Sequence, residues 1–114
     1  MKKIVAITGA SGNMGLETLA QLMESDVVEK IKVFLLDERR ERKCAKEWKR
    51  KYGNKIEVVF GDIAEIEDCR KLVANSDYVL NLAAVIPPTA DHYPVLTDRC
   101  NRIGAMNIVD SVSE

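Results

Sequence analysis

The apolar positions of this chain fall into two alternating rhythms. Lys3-Ile-Val-Ala-Ile-Thr8 is a continuous apolar run, rich in β-branched residues, that stops at Gly9. An unbroken run of this kind fits a strand buried on both faces, as in a parallel sheet. From Asn13 to Ser25 the period changes, with Leu16, Leu19, Ala20 and Met23 recurring at the spacing of one helix face. Lys32 to Asp37 reads as a second buried strand. Glu38 to Tyr52 is strongly charged, with a narrow stripe of Cys44, Trp48 and Tyr52, and Gly53 stands where a left-handed helix cap belongs. Ile56 to Phe60 predicts a third strand, Ile66, Cys69 and Val73 a third helix, and Ser76 to Asn81 a fourth strand. A loop with Pro87, Pro88 and Pro94 follows, and then a helix from Val95 to Val112.

Strand and helix therefore alternate as β-α-β-α-β-α-β-loop-α. Crossovers of this kind give parallel strands with helices on both faces. No repeat or linker interrupts the order, so residues 1–114 read as one domain.

Composition narrows the function classes. Apolar residues make up 46% and charged residues 31%, the balance of a globular domain rather than a disordered one. The net charge of −1 gives no general attraction to nucleic acid or anionic membranes. Residues 39–51 carry eight basic and two acidic side chains, but the rest of the chain carries nine basic and sixteen acidic. That run reads as a solvated helix face rather than a nucleic-acid patch. Cys44, Cys69 and Cys100 lie far apart without a Cys-x-x-Cys pair, and His92 is the one histidine. A zinc site or disulfide framework is disfavoured, and free thiols, with Cys69 and Cys100 in the core, are expected. No apolar segment approaches the ~20 residues of a membrane span. The apolar run after Lys2 and Lys3 is too short for a signal peptide, so the expected location is the cytoplasm.

The candidate chemistry lies at Thr8-Gly9-Ala10-Ser11-Gly12-Asn13-Met14-Gly15, between the first strand and first helix. In an open parallel sheet, ligands bind beyond the carboxyl ends of the strands. Gly9 suits a tight turn, Gly12 lets backbone approach a pyrophosphate, and Gly15 permits close helix–strand packing. Free N–H groups at the helix start would then face the anion. A kinase-type phosphate loop would need Gly-Lys-Ser/Thr, whereas Leu16 and Glu17 follow Gly15. Asp37, at the end of the second strand, offers a carboxylate for ribose hydroxyls, or an acidic helix cap. Arg39 and Arg40 beside it could instead hold an NADP phosphate.

The Gly-x-x-Gly-x-x-Gly spacing, together with Thr8, resembles the extended short-chain dehydrogenase/reductase family, which includes NAD-dependent sugar epimerases and dehydratases. The resemblance covers essentially the whole chain and implies a doubly wound α/β Rossmann-like sheet of order 3-2-1-4. It implies NAD as cofactor, with NADP the alternative. It places Asp62 and Ile63 near the adenine ring, although Asp62 could equally cap the next helix. Asn81-Leu82-Ala83-Ala84 is similar to the family's Asn/His-x-Ala-Ala/Gly element, whose small residues leave room for the cofactor. The stretch from Asn101 to Val109 is similar to the family's Asn-Val-x-Gly-Thr-x-Asn-Leu-Leu, departing at Arg102 and Ala105, and implies that Asn101 props the active-site backbone. Cofactor-binding candidates are thus Thr8, Gly9, Ser11, Gly12, Asn13, Met14, Gly15, Asp37, Arg39, Asp62, Ile63, Asn81, Leu82, Ala83, Ala84 and Asn101.

The family's chemistry also needs a Tyr-x-x-x-Lys pair, in which lysine lowers the tyrosine pKa for acid/base work. Here Tyr52, Tyr78 and Tyr93 are followed at the fourth position by Ile56, Leu82 and Thr97. His92 and Tyr93 read as exposed loop residues. The chain is accordingly expected to be the N-terminal, cofactor-binding part of a larger epimerase, dehydratase or reductase, inactive alone. A small-molecule substrate is then expected only in a longer form. The bare edge of the fourth strand would invite homo-oligomer contacts. The alternative is a non-catalytic nucleotide-sensing module, which would keep the glycine loop without the Tyr/Lys pair.

Overall fold

The structure, a computed structural model, describes residues 3–82 and 99–113. Four strands, β1 (Lys3–Thr8), β2 (Val28–Leu35), β3 (Ile56–Phe60) and β4 (Tyr78–Asn81), form one parallel sheet in the order β3-β2-β1-β4. Helices α1 (Asn13–Glu24), α2 (Arg39–Tyr52) and α3 (Ile66–Val73) make the crossovers, and α4 (Ala105–Ser113) follows a π-helical turn at Arg99–Gly104. The expected Rossmann-like order is therefore present.

Alternation along the strands divides the core into two layers. Val5, Ile7, Ile31, Val33, Leu35 and Ile56 pack with Leu19, Ala45 and Trp48 beneath α1 and α2. Ala6 and Phe34 point the other way, against Cys69 and Leu72 of α3 and Ile108 of α4. This two-sided burial explains why β1 reads as an unbroken apolar run.

Several boundaries differ from expectation for identifiable reasons. β2 begins at Val28 rather than Lys32, because Val28, Glu29, Lys30 and Ile31 form a lead-in with apolar ends and a polar middle, outside the continuous run. It stops at Leu35, leaving Leu36 and Asp37 beyond the sheet. β4 begins at Tyr78 rather than Ser76: the Ser76 N–H is held by Val73 O, and Asn75 turns the chain with φ 60°. Leu16 is exposed, because the face of α1 that meets the sheet runs through Gly15, Leu19, Leu22 and Met23 instead. The last helix is regular α only from Ala105, just after the buried Gly104, a residue that costs roughly 1 kcal/mol in a helix interior. Positions 95–98 of the expected helix lie outside the described residues, as do Pro87, Pro88, His92, Tyr93 and Pro94. Gly53 has the expected positive φ of 62°, but its ψ of −135° lies outside the left-handed helical region. Cys44 and Cys69 are free thiols, half-buried and buried, whereas the placement of the Cys100 side chain lies outside the description. Burial, with Asp68 and Asp62 adding to it, pushes the Cys69 thiol up to about 11. No described helix is long and apolar enough to cross a membrane.

Two lysines close the helix ends that lie at the amino-terminal edge of the sheet. Lys55 Nζ donates to Met23 O and Ser25 O at the end of α1 (2.8 and 3.0 Å). Lys32, buried in the middle of β2, donates to Lys71 O and Ala74 O at the end of α3 (3.2 and 2.8 Å). A cation at a helix carboxyl end is favoured by the helix dipole. Burial nevertheless lowers the Lys32 pKa from its ordinary 10.5, against the opposing pull of Glu57 and with a small push from Lys30. In the window below 10.5 the unfolded chain then holds the proton more firmly than the folded one. Stability must rise as pH rises through that window. Denaturant melts of wild type and Lys32→Met between neutral pH and pH 10.5 should therefore show wild type gaining on the variant as pH increases. A difference that stays flat with pH would contradict this assignment.

Candidate functional site

The candidate site is assembled at the carboxyl ends of β1, β2, β3 and β4. Thr8 ends β1 fully buried, and its Oγ1 donates to Asn81 Oδ1 of β4 at 2.5 Å. Leu82 N–H donates to Thr8 O at 3.2 Å. These bonds tie the two strand ends together, so Thr8 and Asn81, 73 positions apart, share one structural role. Leu82 also packs on the core layer beneath α1 and α2.

The glycine loop turns immediately after Thr8. Gly9 adopts φ 71°, a conformation that L side chains resist, and Gly12 N–H closes the turn on Gly9 O at 3.1 Å. A Cβ added to Gly15 would lie 2.0 Å from Gly9 O and 2.7 Å from Ala10 Cα. The helix thus rests directly on the turn. Gly12 is different: an added Cβ would meet only Gly9 O, at an ordinary 3.5 Å, and its φ of −77° suits any residue. Nothing among the described residues requires glycine there.

The start of α1 is electrostatically open. Its N-cap is Gly12, with no side-chain cap, and its first turn has no acidic residue. The first helical N–H groups, those of Asn13, Met14 and Gly15, have no carbonyl of the preceding turn to bond. By contrast, α2 carries Glu41 in its first turn and α3 carries Glu67 and Asp68. Among these three crossover helices, α1 alone leaves the positive end of its dipole without a nearby carboxylate of its own first turn. Met14, 76% exposed, lies at the mouth of this loop.

The second strand end brings two residues that the sequence pattern had hidden inside a basic run. Asp37 is exposed, and its Oδ1 accepts from Arg42 Nη1 at 2.6 Å. Ser11 Oγ donates to Glu41 Oε1 at 3.3 Å, linking the glycine loop to α2. Arg39, the first residue of α2, lines a groove of about 630 Å³ with Arg40, Arg42, Lys43 and Lys46. Spacing from Asp37 could have flagged Arg42, since five residues from strand end into the first helical turn can fold back. At the third strand end, Asp62 N–H donates to Asp68 Oδ2 and Asp62 Oδ1 accepts from Ala64 N–H, both at 2.9 Å. The aspartate therefore shapes its own turn. Asp68 holds the Asp62 N–H, and α3 has no side-chain hydrogen bond at its cap, so neither aspartate caps it. Asn101 lies exposed in the π-helical turn, and Ala83 and Ala84 lie outside the described residues.

The two loop glycines separate folding from binding. Gly15→Ala should cost about 3 kcal/mol or more of stability through overpacking against backbone. Gly12→Ala should cost no more than about 1 kcal/mol, the scale of an N-cap change. Urea denaturation of both variants measures the contrast, and equal losses would refute this reading of the loop.

Comparison with known proteins places these features in context. The family model described as "Polysaccharide biosynthesis protein" matches residues 5–114. A UDP-glucose 4-epimerase from Rickettsia canadensis is 29% identical over 110 residues, which are 96% of this chain and 32% of the relative. The chain thus spans about a third of the length of the curated relatives it matches. Among solved structures, Pen from Bacillus thuringiensis superposes with a TM-score of 0.83 at 22% identity, over 96% of this chain and 33% of that one. A mutant uronate dehydrogenase from Agrobacterium tumefaciens, complexed with NAD, gives 0.65 at 20% identity, over 97% and 36%. At these identities the two structures speak for the fold.

Proposed function

Since the chain belongs to the polysaccharide biosynthesis protein family, as its resemblance to NAD-dependent epimerases and dehydratases implied, we propose that it binds a nicotinamide dinucleotide. In this reading residues 1–114 form the cofactor-binding portion of an epimerase, dehydratase or reductase acting on a sugar nucleotide or a related hydroxyl or carbonyl substrate. The observation that carries the reading is the open amino end of α1, set on a glycine turn that excludes side chains. Gly9, Gly12, Asn13, Met14 and Gly15 would receive the pyrophosphate through backbone N–H groups. Thr8 and Asn81 would hold the floor of the site through their mutual hydrogen bond. Asp37 would accept from the adenosine ribose, and Asp62 and Ile63 would meet the adenine. A bound nicotinamide supplies hydride transfer. The chain's own residues bind and orient, and with no Tyr-x-x-x-Lys pair in this sequence they are assigned no proton-transfer step.

NAD is the preferred cofactor because a 2′-phosphate would face the Asp37 carboxylate. One observation favours NADP instead: Arg42 already pairs with Asp37, beside a groove lined by five basic side chains. The choice is measurable. Thermal melts with NAD, NADP and AMP should show stabilisation of roughly 10 °C at a hundredfold excess over Kd. NAD should exceed NADP, and Asp37→Asn should narrow that gap. Gly12→Ala should weaken NAD binding by about tenfold or more while the melt without ligand barely moves, because a Cβ would stand where the pyrophosphate approaches. No shift with any of the three nucleotides would refute dinucleotide binding, and a larger shift with NADP would select the second reading.

A further inference from the structure

The outward face of α2 is almost entirely basic. Ala45 and Trp48 turn into the core, while Arg39, Lys43, Lys46 and Arg50 recur at three- and four-residue intervals on the opposite side, all exposed. Glu47 is the exposed acid of this helix and does not line the groove described above. Glu41 is half-buried, and its carboxylate accepts from Ser11 Oγ of the glycine loop. Arg42 pairs with Asp37, whereas Arg39, Arg40, Lys43 and Lys46 have no hydrogen-bond or ion-pair partner among the described residues. This arrangement works against the helix. Arg39 and Arg42, Arg39 and Lys43, Arg42 and Lys46, and Lys43 and Lys46 are like-charge pairs at the spacings that bring side chains together. Arg39, Arg40 and Arg42 also stand at the positive end of the helix dipole.

We propose that the groove lined by Arg39, Arg40, Arg42, Lys43 and Lys46 binds a short polyphosphate chain of two or three linked phosphate groups, independently of the dinucleotide reading given above. Charge and shape select this occupant. Every exposed residue of α2 is charged, so the face offers no apolar or aromatic anchor to a folded protein partner or to stacked bases. The apolar face that a membrane-surface helix would insert is already buried in the core. The five cations do not lie flat either, because they enclose a space of about 630 Å³. The row is too long for one phosphate: from Arg39 to Lys46 the helix rises about 10 Å. Linked phosphates carry charge and acceptor oxygens along such a row, and each can take a guanidinium or an ammonium group. A bound chain turns mutually repelling cations into partners of one anion, next to the positive end of the helix.

The test titrates inorganic tripolyphosphate and orthophosphate calorimetrically, at one ionic strength, into wild type and two double variants. Lys43→Gln with Lys46→Gln removes two charges from the groove. Arg50→Gln with Lys51→Gln removes the same charge from the same helix outside it. All four positions are exposed, so both variants should keep the wild-type far-ultraviolet circular dichroism. Wild type should bind tripolyphosphate about tenfold or more tightly than orthophosphate. The groove variant should lose about tenfold or more in tripolyphosphate affinity, and the outer variant less than about threefold. Equal losses in the two variants would reduce the effect to general attraction by a basic helix and overturn the site. Orthophosphate bound as tightly as tripolyphosphate would leave a single-phosphate site and overturn the assignment of a chain. Tighter binding of a DNA duplex or of phosphatidylglycerol vesicles than of tripolyphosphate, weakened by the groove substitutions, would make the face a docking surface for a macromolecule and overturn it too. Wild type that binds no tripolyphosphate would overturn it outright.

Discussion

The contact of α1 with the turn before it governs the upper end of this molecule. At Gly15 the helix approaches Gly9 O so closely that a single methyl group would have to occupy space 2.0 Å from that oxygen. The approach has two effects at once. It draws the start of α1 against the end of β1, and it bars any side chain at position 15. The start of α1 on this turn has no side-chain cap. A looser packing of the same elements would leave room for side-chain caps, and the first helical N–H groups would be bonded internally.

The two ends of the sheet handle their polar groups in opposite ways. At the amino-terminal end, lysines from other elements close the carboxyl ends of helices: Lys55 closes α1 and Lys32 closes α3. At the carboxyl end, none of α1, α2 and α3 has a side-chain hydrogen bond at its cap. Burying Lys32 carries a desolvation cost, visible in its lowered pKa, yet it occupies a position where the protein needs a donor. The two ends of the sheet thus differ: helix ends closed by lysines at one, helix starts without side-chain caps at the other. Parallel strands make this separation natural, because every crossover helix starts at one end and finishes at the other.

The sequence made the architecture legible wherever burial is two-sided. β1, the central part of β2, and the alternation of strand with helix follow from unbroken apolar runs and changes of period. The glycine loop was legible for the same reason, since its position after such a run gives the spacing meaning. What escaped was long-range and polar. Leu16 looked like a core residue because periodicity cannot tell which face of α1 the Gly15 contact turns inward. Lys32 looked like a strand boundary, since only the folded chain brings it to the end of α3. Glu41 and Arg42 were absorbed into a basic run, although one bonds Ser11 and the other Asp37. Asp68 was likewise hidden, because its partner is a backbone N–H six positions away.

The α2 charges show how little separates alternative uses of one fold. Asp37 and Arg42 form a short pair, but both side chains are largely exposed, and such pairs contribute about 1 kcal/mol or less. A ribose hydroxyl arriving at Asp37 would therefore displace Arg42 at small cost. A phosphate arriving beside it could recruit the same guanidinium, together with Arg39, Arg40, Lys43 and Lys46, and leave Asp37 to bear the repulsion. On the proposed reading, cofactor choice at this strand end depends less on whether an acidic or basic residue is present than on which of them the ligand separates. Glu41 bears on that balance: bonded to Ser11, it anchors the first turn of α2 to the glycine loop and holds the neighbouring Arg42 within reach of Asp37. The glycine loop and Asp37 are thereby linked through the first turn of α2, so a change in α2 would be felt at both.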